Sequence, residues 1–232
     1  MDRSELATVP GVPESPLTSE MLTQLPDSAP PAPWEGTASV VLWMTRGGKA
    51  ARQALPPRLR NEVSALAVVG GMVHYRDTPV GTYHEVFGNV GFQRRARPRG
   101  VVSFMAVDSP ASLLGGRSNW SLPKTLASFD GEVAAGRTMT TVGQDWRVTA
   151  KVTAVLPAIP MRIPLTLEQE WPDGIVRPCT MRIRGRGRPA LVTVRVEAPG
   201  SLSRWLRSGH HAGMVFEAVK FAMGVAEEPA RA

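Results

Sequence analysis

The chain has 232 residues, 43% of them hydrophobic and 20% charged, with a net charge of +7. That is enough apolar material for a sizeable soluble core, and no apolar run approaches the ~20 residues of a membrane-spanning helix. Cys179 is the only cysteine, so an internal disulfide is excluded and a reducing, cytoplasmic location is expected.

The basic balance raises nucleic acid or a membrane surface as partners. Arginine supplies 23 of the 27 basic residues and lysine only four. Such a bias is often a habit of composition, so neither nucleic acid nor membrane is the expected partner.

Residues 1–33 carry seven prolines among serines and threonines. They read as an extended N-terminal arm with a short helical turn near Ser19 to Leu25, set apart from a single domain over 34–232. The charged opening Met1 to Glu5 leads into prolines, so no signal peptide is expected.

Thr37 to Thr45 reads as the first strand. Lys49 to Leu55 reads as a short helix stopped by Pro56-Pro57. Ser64 to Tyr75 is a second strand, and Gly70-Gly71 inside it predicts a bulge or a close approach of backbone or ligand. Thr82 to Val90 alternates with Tyr83, Glu85 and Phe87 on one face. Turned inward, that face buries Glu85; at the rim, Glu85 reaches water. Arg94 to Gly100 reads as a basic loop and Val101 to Asp108 as a strand. Ala111 to Leu114 is one helical turn that ends at Gly115-Gly116.

Short strands follow at Thr138 to Val142, Trp146 to Leu156, Leu165 to Glu170, Thr180 to Arg184 and Ala190 to Val196. The run Arg182 to Arg188 reads as a hairpin tip between the last two. Ser201, as a cap, and Arg207 bound one terminal helix; Gly213 to Ala226 reads as a second, with Val215, Ala218, Val219 and Ala222 as its apolar stripe. Strands spaced near ten residues apart predict a mainly β (α+β) fold: a single-domain antiparallel β-barrel or sheet with a few flanking helices.

The stretch Gly116 to Ala127 concentrates the chemistry. Lys124 follows Leu-Pro and precedes Thr-Leu-Ala, an apolar setting. Where the chain otherwise uses arginine, a lysine supplies what a guanidinium does not, an amine that can lose its proton and attack a carbonyl. The plain alternative is a surface lysine after a turn proline. HExxH, CxxC, GxSxG and phosphate-loop patterns are all missing, and the adjacent His210-His211 side chains diverge, so no metal or cofactor is expected.

Gly116-Arg117 followed by Pro123-Lys124-Thr125-Leu126-Ala127 resembles the nucleophile motif of acetoacetate decarboxylases. Tyr83-His84-Glu85 resembles the family's upstream Tyr-x-Glu at a similar step from the lysine. Ala51 to Pro57 fits its short helix and proline turn. The resemblance spans about Trp34 to Val225. It implies a Schiff-base lysine, Lys124, with Glu85 handling protons and Arg117, Tyr83 and Trp120 around the substrate. Acetoacetate decarboxylase is itself the standard example of a lysine activated by desolvation or a cationic neighbour.

The sequence departs from that pattern at Thr125, where the family has a second lysine, and at Ser118, where it has a glutamate. Ala67 to Gly71 lacks an expected acid, and the segment near Trp34 lacks a carboxylate-holding arginine. The expectation is therefore a Schiff-base decarboxylase or lyase acting on a β-keto acid or related small carbonyl compound other than acetoacetate. The alternative is a catalytically inactive small-molecule-binding barrel of the same fold. A homo-oligomer is expected from the resemblance.

Overall fold

A computed structural model describes residues 2–228. In the N-terminal segment lie two five-residue helices, α1 (Arg3–Ala7) and α2 (Ser19–Thr23). Then come β1 (Trp34–Arg46), α3 (Lys49–Ala54), α4 (Pro57–Glu62), β2 (Ala67–Asp77), β3 (Tyr83–Arg94) and β4 (Arg97–Val107). Helix α5 (Pro110–Trp120) leads to β5 (Lys124–Leu126), β6 (Ser128–Gly131), β7 (Thr138–Val142) and β8 (Arg147–Ala154). The chain closes with β9 (Ile159–Glu170), β10 (Val176–Glu197), α6 (Leu202–Trp205) and β11 (Gly209–Met223).

The fold is mainly β, one large sheet with few helices, as the strand spacing predicts. Strands β1 to β4 form an antiparallel meander. Strand β4 meets β9 through a single parallel pairing, Gly100 with Leu167. From β9 the path runs through β10 to β11 and back to β1. Strands β8, β7 and β6 extend the sheet from β10. Strand β5 lies parallel to β4, with Lys124 opposite Met105.

Several expectations are corrected. Gly213 to Ala226 is not a helix: β11 occupies it. Glu217 and Ala218 together face one residue on each neighbour, because the pairs Phe216–Gly187 and Val219–Gly185 skip two positions on β11 and one on β10. That bulge brings Val215, Phe216 and Val219 to helix-like spacing within an extended strand. Arg182 to Arg188 is not a hairpin tip but the middle of β10, a continuous strand of 22 residues. Its arginines at 182, 184 and 186 are exposed and alternate with inward positions.

Helix α5 does not stop at Gly115-Gly116; it runs through them to Trp120. Arg94 to Gly100 is not a loop either. A two-residue turn at Arg95-Ala96, both in the left-handed region (φ 51° and 59°), joins β3 directly to β4. The pair Gly70-Gly71 causes no register break in β2. A Cβ on Gly70 would lie 2.2 Å from the Trp43 indole and one on Gly71 2.5 Å from the Phe87 ring. The close approach is thus by aromatic side chains.

The N-terminal segment packs onto the sheet. Leu6 and Leu25 join a buried cluster with Tyr75, Tyr83, Leu113 and Phe221. Ser201 takes the cap position of α6, but the backbone N–H of Leu202 is satisfied by the buried Glu14 carboxylate at 2.7 Å.

Candidate active site

Period-two alternation on β3 turns Tyr83 and Glu85 to the interior. The β2–β3 register sets Tyr75 opposite Tyr83, and the rings stack with centroids 4.4 Å apart. Strand β5 brings Lys124 against β4, and α5 presents Ser112 from its first turn. These elements converge on one amine. Lys124 Nζ donates to Glu85 Oε2 at 2.9 Å and to Ser112 Oγ at 2.8 Å. Tyr75 donates its hydroxyl proton to Glu85 Oε1 at 3.2 Å. The amine also sits 5.1 Å from the Tyr83 ring centroid. Lys124 and Glu85 are each only 3% exposed, so Glu85 takes the inward position of its two alternatives.

Burial, and then the negative charge of Glu85, push both the Tyr75 and Tyr83 phenols well above the ordinary value. Both rings therefore carry neutral hydroxyls at neutral pH. His84, between the two inward residues, faces the other way and pairs with Asp108 at 2.7 Å.

Gly116 and Arg117 position the lysine. A Cβ on Gly116 would lie 2.5 Å from Lys124 Cδ and Cε, so a bare backbone is what lets the side chain cross α5. Arg117 is fully buried and its guanidinium donates to three carbonyls: Lys124 at 2.7 Å, Leu6 at 2.6 Å and Ser15 at 3.0 Å. Burial lowers its pKa to about 10. All three of its bonds are to backbone, and it does not line the cavity described below, so its guanidinium is turned to the backbone rather than to the cavity. The two departures from the motif also have local partners. Thr125 Oγ donates to the Pro16 carbonyl at 2.8 Å, and Ser118 Oγ to that of Leu114 at 2.8 Å.

The amine opens on a cavity of about 750 Å³ inside the sheet. Lys124, Glu85, Tyr75, Tyr83 and Trp120 line one end. Trp120 spends its indole N–H on the Gly224 carbonyl at 2.6 Å and meets Trp34 edge-on, so it offers the cavity an apolar face. Among the described residues, no group of three or more His, Cys, Asp or Glu side chains is arranged to hold a metal. Cys179 is buried, and burial pushes its thiol up to about 12, leaving it unreactive.

The model of the family described as acetoacetate decarboxylase (ADC) matches residues 14–175. The chain belongs to the acetoacetate decarboxylase family. Among solved structures, it is similar to an acetoacetate decarboxylase from Legionella pneumophila subsp. pneumophila str. Philadelphia 1, at 16% identity and a TM-score of 0.62, over 88% of this chain and 90% of that one. A second acetoacetate decarboxylase structure matches at 15% identity and a TM-score of 0.60, over 98% and 97% of the two chains. The enduracididine biosynthesis enzyme MppR, in complex with pyruvate, matches at 13% identity and a TM-score of 0.63, over 85% and 90%. These likenesses show a shared fold. No curated protein matches by sequence.

Two side chains that meet the Lys124–Glu85 pair, Tyr75 and Ser112, carry no signal in the sequence. Tyr75 stands opposite Tyr83 in a hairpin whose register follows from the short turn between β2 and β3. Ser112 carried no local signal, because its closeness to Lys124 depends on α5 continuing past the two glycines. No helix among the described residues is long and apolar enough to cross a membrane.

Proposed function

We propose that this family member is a Schiff-base-forming lyase that acts on a carbonyl compound, other than acetoacetate, through Lys124. The observation that carries the reading is a primary amine buried at the end of a largely apolar cavity, 2.9 Å from the Glu85 carboxylate that lines it.

In this reading the Lys124 ammonium passes a proton to Glu85, and the freed amine adds to the substrate carbonyl carbon. The carbonyl oxygen leaves as water, with the protons supplied by Glu85 and the amine, and a C=N⁺ iminium remains. That cation takes up the electron pair released when the neighbouring C–C bond breaks, by loss of CO₂ or by a retro-aldol step. Protonation of the resulting enamine and addition of water return the product and the amine. The neutral hydroxyls of Tyr75 and Tyr83 stand as hydrogen-bond donors to the departing oxygen. MppR is known in complex with pyruvate and with the condensation product of pyruvate and imidazole 4-carboxaldehyde. These complexes support small carbonyl ligands for this fold.

Binding without turnover is the second reading. It draws on the acid groups of the cavity: among the described residues Glu85 is the only carboxylate lining it and would have to serve every proton transfer. Incubation with a panel of ketones, aldehydes and keto acids, followed by borohydride and peptide mass spectrometry, tests the first reading. A reduced adduct on Lys124, absent from Lys124→Met, is expected. No adduct across the panel overturns it, and an adduct without product formation selects the second.

A further inference from the structure

The cavity has the Lys124 cluster at one end, Arg97 and Arg99 at the other, and a mostly apolar lining between them. Beyond the Lys124 cluster the walls are Phe87, Met105, Met181, Ile183, Phe221 and their neighbours. Its ~750 Å³ falls within the ~300–1,000 Å³ of sites that enclose drug-sized molecules, far more than a four-carbon acid fills. The lining follows β3 from Glu85 to Gly91, about 20 Å at ~3.3 Å per residue. At the far end Met44 is 59% exposed and Leu165 37%, which places the mouth there.

The charges divide in the same way. Among the described residues, three cations line the cavity. Lys124 is engaged by Glu85, while Arg97 and Arg99 sit at the opposite end of the β3–β4 hairpin, Arg99 already paired with Glu168 at 3.2 Å. A carboxylate beside the reacting carbonyl would meet the Glu85 carboxylate with no guanidinium to offset it, since Arg117 is turned to backbone carbonyls.

From this we infer that the site takes a neutral ketone or aldehyde with a long apolar tail, the carbonyl at Lys124 and the tail running to the mouth. The inference rests on the Schiff-base reading for which end of the ligand enters first, and it narrows the reaction to aldol-type bond breaking or making. With such a ligand the amine expels the carbonyl oxygen as water to give the iminium, and hydrolysis reverses it.

Two readouts on the intact protein test the inference separately from that reading. The first is displacement of the neutral fluorophore N-phenyl-1-naphthylamine by alkyl methyl ketones from acetone to methyl nonyl ketone, by the 2-oxo acid of matching length, and by acetoacetate. The second is borohydride trapping with the same compounds. Affinity is expected to rise about fourfold per added methylene until the tail reaches the mouth. The matching 2-oxo acid is expected to bind at least about tenfold more weakly than the ketone. Ile183→Trp, which fills the middle of the cavity, is expected to halt the rise at a shorter chain.

Affinity independent of chain length, or acetoacetate competing as well as methyl nonyl ketone, overturns the inference even where adducts form on Lys124. Rising affinity without any adduct keeps the inference of an apolar-tailed ligand and removes the Schiff-base step.

Discussion

The two ends of the cavity are built on opposite principles. At the Lys124 end nearly every side chain has a fixed partner: amine to Glu85 and Ser112, Glu85 to Tyr75, and Tyr75 stacked on Tyr83. At the mouth, Met44 and Leu165 are exposed apolar surface beside Arg97 and an Arg99 held by Glu168. A buried charge is tolerated only when paired and hydrogen-bonded, so the closed end has little freedom to vary. Apolar surface is non-directional, so the mouth can change shape at small cost. In the proposed reading, chemistry and selectivity fall to separate regions.

Substitutions at the closed end are expected to have the largest effects. Lys124→Met leaves Glu85 buried without its cation and should lower stability by about 3–5 kcal/mol in chemical denaturation. Lys124→Met/Glu85→Gln should recover much of that loss. Equal losses in the single and double variants would mean that the pair is not the unit described. A smaller effect, about 1–3 kcal/mol by overpacking, is expected for Gly116→Ala, together with a loss of borohydride trapping as the amine is displaced. Full trapping in that variant would show that Lys124 reaches the cavity by another path. The smallest effect belongs to the mouth: Met44→Ser should change stability by less than about 0.5 kcal/mol while weakening the longest-tailed ketones in the displacement assay.

The same division governs what the sequence reveals. A strand rich in apolar and β-branched residues, such as β1, can be read directly, and so can the alternation at the start of β3 that pairs Tyr83 with Glu85. Lys124 stands out because its apolar neighbours and its rarity are local facts. β11 misleads because the bulge at Glu217 and Ala218 shifts its alternation to a helix-like spacing. The Arg182 to Arg188 run holds a period-two signal, but its arginines and glycines resemble a turn. Glycines read as breakers in α5 are required by Trp34 and Lys124, which lie beyond the helix's own sequence. Arg117 shows the remaining limit: a cation in a motif resembles a ligand-binding group until its three carbonyl partners are placed.

Those partners tie the lysine to the beginning of the chain. Arg117 joins the Lys124 carbonyl to those of Leu6 and Ser15, Thr125 holds Pro16, and Glu14 reaches Leu202. During synthesis residues 6–16 emerge long before any of these partners exist. Their docking closes loops of roughly one to two hundred residues, late events because loop entropy must be met before the contacts form. This segment, translated ahead of the strands it docks on, is therefore among the last to find its place, and the amine's surroundings are complete only when it does.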